Sequence, residues 1–367
     1  KMFFLESLWP FMSRCGKNDR YCKYFLGMIA GIWKHTESRS GFHSIKAVNP
    51  ADAGYEDYGY KKKFHIDKNA YRKVLITGAG FYIGESFKKY CKSCYPNIEC
   101  TAIDMLDGSW REYDFSRYDT VFHVAGIDSS NAGKTTFERR DKYYKVNTGL
   151  AVECCKKAKQ SGVKQFILMS SICIYGQVER IDEYTIPGPQ NFYENSKWLA
   201  DVRVRKLDDE DFHVAVLRPP MIYGRGSKGT YLILSRMARK MHVFPNVNNK
   251  RSVLYIENLC EFVSLLVLSN NGGIFFPQNE GYASVSRFVR EISITANKPT
   301  HISKLLNAAV FVAKHIPGRK VQGLSRKVFG NLYYVQEMSV YDGIDYQKAD
   351  LRSSVIATES DPISIAV

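Results

Sequence analysis

The stretch KVLITGAGFYIGESF, residues 73–87, constrains the fold of this chain more than any other. A short β-branched run leads into a glycine-rich turn, and helical periodicity follows the turn. A strand–turn–helix unit of this kind binds the phosphates of a dinucleotide when its glycines are suitably spaced. The stretch therefore predicts an α/β fold with a nucleotide site at the turn.

The glycine spacing departs from the usual pattern at one position. Gly78 can form the tight turn and Gly84 can let the helix pack closely on the strand, but Phe81 replaces the middle glycine. We expect Gly80 to absorb the backbone strain and the N–H of Phe81 to face a phosphate. The alternative is a glycine turn that holds no ligand.

Asp104 lies 20 residues after Gly84, at the end of the next apolar run. A carboxylate there hydrogen-bonds the ribose hydroxyls and repels a 2′-phosphate. Asp104 and the Met105 that follows it therefore predict NAD, and not NADP, as the cofactor.

Apolar runs alternate with helical patterns after residue 72, which predicts a doubly wound parallel (Rossmann) sheet with its ligand at the carboxyl ends of the strands. The expected strands after the first are 98–104, 120–126, 165–171 and 212–219, and the expected helices are 82–92, 143–162 and 192–207.

Residues 1–70 differ from the rest in being basic, aromatic and rich in turn residues. Two segments, 3–12 and 21–35, have helical periodicity, and residues 1–73 hold 14 Lys and Arg against 7 Asp and Glu in a chain of formal charge +15. We expect this extension, whose role the sequence does not reveal, to dock on the catalytic domain. A weak contact of residues 1–40 with an anionic membrane surface is the alternative.

Composition narrows the class of protein further. No apolar run approaches the roughly 18 residues that span a bilayer, and nothing resembles a nucleic-acid-binding module. The nine cysteines are scattered, and the one C-x-x-C pair, Cys91 and Cys94, has no nearby histidines, so we expect no metal site and a reducing, cytoplasmic location.

The segment YENSK carries the candidate chemistry. Tyr193 and Lys197 lie four residues apart on a predicted helix, hence on one face. An ammonium group beside a phenol favours the phenolate and lowers its pKa, which would make Tyr193 a general base near neutral pH. Ser171, at the end of the fourth strand, can hydrogen-bond the same substrate oxygen. Tyr58 and Lys62 share the spacing by chance.

Several motifs in the same order resemble the extended short-chain dehydrogenase/reductases, the NAD-dependent epimerase/dehydratase group that acts on nucleotide sugars. The resemblance covers residues 72–356. It rests on the glycine turn and on four further segments: FILMSSICIYG (166–176), YENSK (193–197), LRPPMIYGRG (217–226) and RSVLYIENL (251–259).

The resemblance implies roles for individual residues. Ser171, Tyr193 and Lys197 would be catalytic, with Lys197 also holding the cofactor ribose. The NAD site, besides Tyr193 and Lys197, would include Gly78, Phe81, Tyr82, Ile83, Asp104, Met105, Asp114, Phe115, Val124, Ala125, Gly126, Asn147 and Pro220. The substrate would meet Ile172, Met221, Tyr223, Lys228 and Arg251, with Arg251 on the diphosphate.

The resemblance also implies a division into domains. The NAD-binding domain would cover 71–224 and 251–272, and a smaller substrate-binding domain 225–250 and 273–356, with a tail at 357–367. We expect a homodimer formed through the helices at 143–160 and 193–206.

The activity that the resemblance favours is a nucleotide-sugar 4-epimerase, acting on UDP-glucose or UDP-N-acetylglucosamine through a 4-keto intermediate with recycled NADH. Dehydration is disfavoured because Ile172 and Cys173 stand where the 4,6-dehydratases carry Asp-Glu. Met221, where many epimerases have an asparagine, leaves the sugar and nucleotide open. The alternatives are a 4-keto-sugar reductase or dehydrogenase and, in another class, a redox-silent NAD-binding scaffold.

Overall fold

In a computed structural model of the chain, the structure describes Tyr58 and residues 63–128, 137–304, 307 and 329–360. Six parallel strands form the main sheet: β1 Arg72–Thr77, β2 Ile98–Ile103, β3 Thr120–His123, β4 Gln165–Met169, β6 His213–Leu217 and β10 Gly273–Phe275. Their order in the sheet is β10-β6-β4-β3-β1-β2. This confirms the predicted doubly wound fold.

Helices follow most of the strands, as expected for parallel pairing. They are α1 Tyr82–Cys94, α2 Phe137–Tyr143, α3 Ala151–Gln160, α4 Phe192–Arg205, α5 Thr230–Lys240, α6 Ile256–Ser269, α7 Val285–Thr295 and α8 Leu351–Glu359. Where the sequence predicts one continuous helix over 143–162, the structure has a π-helix, Tyr144–Leu150, between α2 and α3.

Side chains of the central strands alternate between two cores. Val74 and Ile76 point into the core on one face of the sheet, and Leu75 points into the core on the other. Helix α6 is buried along nearly its whole length and packs in the first of these cores. Because both faces are covered, the strands are apolar in continuous runs rather than in alternation.

Three small parallel sheets lie outside the main sheet, and the helices α5, α7 and α8 fall largely within the region predicted to bind substrate. The additional strands are β5 Arg180–Ile181, β7 Met221–Tyr223, β8 Val243–Pro245, β9 Val253–Tyr255, β11 His301–Ser303 and β12 Tyr333–Tyr334, paired as β11-β8, β12-β5 and β7-β9. Helix α8 continues past the predicted start of the tail at 357, and the carboxylate of Glu359 accepts hydrogen bonds from Tyr231 and Ser235.

The end of the predicted N-terminal extension packs with the catalytic domain. Tyr58 forms a backbone bridge with Ile274 on the edge strand β10, and its hydroxyl donates to Glu183 O at 2.8 Å. Phe64 is buried in the main core. Residues 1–57, with the two predicted helices and the predicted membrane contact, lie outside the described residues.

The helices expected to form a dimer interface have polar outer positions. Lys156 and Gln160 on α3 and Arg203 on α4 are exposed, whereas the cysteines and alanines of α3 are buried in the sheet's second core. The homodimer stays a prediction. Within the described part of the chain, every helix is too short or too polar to cross a membrane.

Candidate active site

The glycine turn between β1 and α1 has the backbone geometry that its sequence indicated. Gly78 and Gly80 adopt positive φ angles of 111° and 78°, a region that favours glycine. A Cβ on Gly84 would lie 2.8 Å from Cγ2 of Ile76, so only glycine lets α1 pack this closely on β1.

Phe81 occupies the position of the missing glycine without strain. Its φ and ψ of −76° and 135° are extended values open to any residue. Its ring lies against Gly78, since a Cβ on that glycine would be 3.1 Å from Phe81 Cδ2. Its N–H donates to Gly78 O at 3.2 Å, and the expectation that this N–H faces a phosphate stays a prediction.

Tyr82 and Ile83 form the first turn of α1, where backbone N–H groups have no partner within the helix and suit an anion. The side chain of Tyr82 points away from the turn. Its hydroxyl is buried and lies 2.9 Å from where a Cβ on Gly224 would be. Tyr82 can therefore contribute to a dinucleotide site through its backbone.

Glu85 is a residue of this turn that sequence reasoning missed. Its Oε1 accepts a hydrogen bond from Gly80 N–H at 3.0 Å. The two residues are five apart in the sequence and meet only because the turn folds back on itself. The spacing of the glycines does not indicate this contact.

The residues expected in the NAD site between β2 and β3 differ in exposure. Asp104 directly follows β2, is exposed, and its Oδ1 accepts from Leu106 N–H at 2.9 Å, while Met105 is buried. Asp114 is exposed and paired with Arg117. The side chain of Phe115 is fully buried in the core, so Phe115 can line the site only through its backbone.

The segment after β3 connects the cofactor turn to the candidate catalytic residues. The N–H groups of Val124 and Ala125 donate to Thr77 O. A Cβ on Gly126 would lie 3.1 Å from Asn147 Oδ1 and 3.2 Å from Lys197 Nζ. The absence of a side chain at Gly126 thus lets two of the predicted cofactor residues approach the strand end.

The structure brings Tyr193 and Ser171 together. Asn191 caps α4 by accepting from Glu194 N–H at 3.0 Å, and this places Tyr193 in the first turn. The hydroxyl of Ser171 lies near the Tyr193 phenol and acts to lower its pKa, and it accepts a hydrogen bond from Cys173 N–H at 3.2 Å. The ring of Tyr143 packs edge-on against that of Tyr193.

Lys197 lies one helical turn beyond Tyr193 and reaches the same strand end. Its ammonium donates to Met169 O at 2.9 Å, two residues before Ser171. The buried Asn147 lies beside it and is held by two hydrogen bonds. Its Oδ1 accepts from Ile127 N–H at 2.8 Å, and its Nδ2 donates to Ser196 Oγ at 3.0 Å.

The pKa values of Tyr193 and Lys197 differ from those that the sequence predicts. Burial raises the pKa of the Tyr193 phenol well above its ordinary value, and the adjacent Cys173 thiol raises it further. Burial also lowers the pKa of Lys197 to about 8. The predicted lowering of the Tyr193 pKa is therefore wrong for the protein alone, because burial strongly disfavours the phenolate.

The predicted substrate residues separate into two groups. Met221 and Arg251 line one narrow cleft, whose other walls are mainly apolar residues of α5, α7 and β9. Arg251 donates to Gly330 O at 3.0 Å, and burial lowers its pKa. Lys228 is exposed in the glycine-rich loop before α5.

Tyr223 belongs to the core instead. Its hydroxyl contacts Ser354 and Asn279, and its ring stacks on Tyr231. The prediction that its side chain meets the substrate is corrected, because the side chain is fully buried. Pro220 and Ile172 are also buried, next to the Ser171 strand end.

The residues at the turn fit a dinucleotide. The positive φ angles of Gly78 and Gly80, the open position at Gly126 and the exposed Asp104 after β2 together form a site at the carboxyl edge of the sheet. A parallel sheet with this turn and with serine, tyrosine and lysine at one strand end defines a short-chain dehydrogenase/reductase.

The chain belongs to the NAD dependent epimerase/dehydratase family, whose model matches residues 74–275. Its cofactor is accordingly NAD. It is 30% identical over 266 residues to a UDP-glucose 4-epimerase of Vibrio cholerae, covering 64% of this chain and 79% of that protein. It is 24% identical over 246 residues to the N-acetyl-alpha-D-glucosaminyl-diphospho-ditrans,octacis-undecaprenol 4-epimerase of Escherichia coli O157:H7, covering 61% and 72%.

Among solved structures, the fold is similar to a Thermus thermophilus UDP-glucose 4-epimerase in complex with NAD. The TM-score is 0.56 and the identity 18%, over 78% of this chain and 98% of that chain. At this identity the likeness concerns the fold alone.

Proposed function

We propose that the protein is an NAD-dependent nucleotide-sugar 4-epimerase. The observation that carries the proposal is the meeting of Ser171, Tyr193 and Lys197 at the end of β4, beside the glycine turn. A hydroxyl, a phenol and an ammonium group within one strand end are the groups that removal of a proton from a sugar alcohol requires.

In this reaction Tyr193 takes the proton of the sugar C4 hydroxyl, and Ser171 hydrogen-bonds the same oxygen. NAD, held at the glycine turn and by Lys197, would supply a reversible acceptor for the C4 hydrogen and its electron pair. The resulting 4-keto sugar is re-protonated on oxygen by Tyr193, so that a hydrogen delivered to the opposite face gives the C4 epimer with no net oxidation.

Lys197 has two tasks in the proposal. Its ammonium group, held by Met169 O, lies one turn from Tyr193 and can stabilise the phenolate, which burial otherwise disfavours. It also lies beside Asn147 and Gly126, where it can hydrogen-bond the cofactor ribose. Closure of the site by ligand must add further stabilisation of the phenolate, since the lysine alone leaves the pKa of Tyr193 raised.

Arg251 and Lys228 would bind the diphosphate of the substrate. The half-buried guanidinium of Arg251 lines the Met221 cleft and carries a planar set of donors suited to phosphate. The two relatives named above differ in what the sugar diphosphate is attached to, a nucleoside or a polyprenol. The diphosphate-linked sugar is the chemistry that they share.

The test is incubation of the protein and NAD with UDP-glucose, UDP-N-acetylglucosamine and a polyprenyl-diphosphate-linked N-acetylglucosamine, followed by separation of the sugars. We expect a C4 epimer from at least one of them, with no net change in free NADH. Stoichiometric consumption of NADH by a 4-keto sugar would instead identify a reductase. Intact NAD binding with neither reaction would favour the redox-silent scaffold.

A further inference from the structure

The side chains of Asp201 and Arg218 form an ion pair from which solvent is fully excluded. Arg218 Nε donates to Asp201 Oδ2 at 2.9 Å and its Nη2 donates to Oδ1 at 3.1 Å, and both side chains are 0% exposed. The paired donors and acceptors match the geometry in which arginine binds a carboxylate most strongly.

Asp201 lies on the same face of α4 as the candidate catalytic residues. It follows Lys197 by four residues and Tyr193 by eight, and residues at these intervals are stacked along one side of a helix. Arg218 directly follows β6, which is the neighbour of β4 in the sheet. The ion pair therefore ties α4 to the strand layer one turn below Lys197.

The same two side chains hold both ends of the segment that contains Ser171. Ser170 Oγ donates to Asp201 Oδ2 at 3.1 Å, and Arg218 Nη1 donates to the hydroxyl of Tyr175 at 2.8 Å. The intervening backbone is fixed as well, because Ile172 N–H donates to Pro219 O at 2.9 Å. Ser171 lies between these anchored residues.

Further bonds complete the network. Arg205 Nε donates to Asp201 Oδ1 at 3.0 Å, so the carboxylate has three different partners. The guanidinium of Arg218 also lies 5.5 Å from the ring of Trp198.

A buried ion pair is a weak source of stability, because the cost of removing two charges from water offsets their attraction. A protein with an apolar pair of similar volume in its place is often equally stable.

We propose that the Asp201–Arg218 pair positions Ser171 against Tyr193 and Lys197. The proposal rests on the proposed function for its kinetic readout. Asp201 and Arg218 are positioning residues here, since neither is placed to touch substrate or cofactor.

The decisive variant is the double change Asp201→Asn with Arg218→Met, which removes both charges of the fully buried pair and leaves an amide oxygen that can accept from the partly exposed Arg205. Asp201→Asn alone serves as a second variant if it folds. The matched control is Glu261→Gln, which alters another buried carboxylate. Glu261 lies on α6 and bonds the hydroxyls of Tyr90 and Tyr95 and the ammonium group of Lys348.

We expect the double variant to bind NAD with unchanged Kd, to keep its KM within about threefold, and to lose about 10- to 100-fold in kcat, the scale of a small misplacement of reacting groups. The Glu261→Gln control should have the KM and kcat of the wild type. A double variant with wild-type kcat, or an equal loss of kcat in Glu261→Gln, would overturn the proposal.

A second readout does not depend on turnover. With tyrosines isotope-labelled at Cζ, the resonance of Tyr193 is assigned by its loss in Tyr193→Phe. It should shift in the double variant and stay in place in Glu261→Gln, and an unshifted resonance in the double variant would contradict the positioning role. If the wild type shows no epimerisation but the resonance shifts as expected, the proposed function fails while the positioning role stands.

Discussion

Glu85 Oε1 accepts a 3.0 Å hydrogen bond from the backbone N–H of Gly80, which puts a carboxylate on the turn that would bind the pyrophosphate of NAD. Because like charges repel, we expect Glu85→Gln to tighten NAD binding. Two unit charges 4 Å apart in water interact by about 1 kcal/mol, or about fivefold in affinity.

Calorimetric titration with NAD checks this prediction at low and at high salt, and the gain should shrink in high salt as the charges are screened. Glu210→Gln, an exposed acid in the loop before β6, is the control. Equal or weaker NAD binding by Glu85→Gln would show that the carboxylate assists the site.

Phe81→Gly should keep or improve NAD binding. The phenyl ring covers Gly78 and its backbone is unstrained, so removal of the ring opens the turn without releasing strain. The dissociation constant for NAD measures the effect. A severe loss of affinity would mean that the turn is built around the ring.

Asp104 should select NAD over NADP. We expect NADP to bind much more weakly than NAD to the wild type, and Asp104→Ser to narrow the difference by removing the charge that repels a 2′-phosphate. Competition between the two dinucleotides in a binding assay decides it, and equal or tighter wild-type affinity for NADP would refute the prediction.

Tyr193→Phe should leave NAD affinity nearly unchanged and lower turnover by about 10²- to 10⁴-fold, the usual contribution of a positioned general base. The ring contact with Tyr143 survives this change, and only the ionisable oxygen is lost. Tyr58→Phe, which loses one hydrogen bond to Glu183 O, should retain wild-type turnover. Wild-type turnover by Tyr193→Phe would end the mechanism.

Lys197→Met should impair both turnover and NAD binding, and it should also change how stability depends on pH. The pKa of Lys197 is about 8 in the folded protein against an ordinary 10.5. Between these values the unfolded chain binds more protons, so wild-type stability rises with pH, while below pH 8 the burial penalty is present in full.

The variant lacks this contribution. The free energy of unfolding of the wild type, minus that of Lys197→Met, should therefore rise between pH 8 and 10.5 by at most about 3 kcal/mol. Urea titrations across this range measure the difference. A difference that is flat or falls would show that Lys197 is not desolvated.

The fold and the glycine turn could be predicted because they depend on local pattern. Apolar runs of the right length and the need for glycine at Gly78 and Gly84 are visible in the chain itself. The π-helix at Tyr144–Leu150 was not predicted, since one added residue per turn leaves a pattern of apolar residues close to that of an α-helix.

Features that depend on the surroundings of a side chain could not be predicted as well from the sequence. The spacing of Tyr193 and Lys197 indicated that they lie on one face, but not how far burial would raise the pKa of the phenol. Tyr223 lies in a motif of the family and yet points into the core, where its hydroxyl contacts Ser354 and Asn279, two residues far away in the sequence. The partners of Asp201 come from β4 and β6 and leave no local signal.

The backbone bridge between Tyr58 and Ile274 has a practical consequence for any shortened version of the protein. Strand β10 is the outermost strand of the sheet on its side, and Tyr58 covers part of its open edge. A chain trimmed to begin at Arg72 would expose unpaired N–H and C=O groups there, and exposed strand edges recruit other chains. Such a fragment would be prone to aggregate even with every residue of the candidate active site intact.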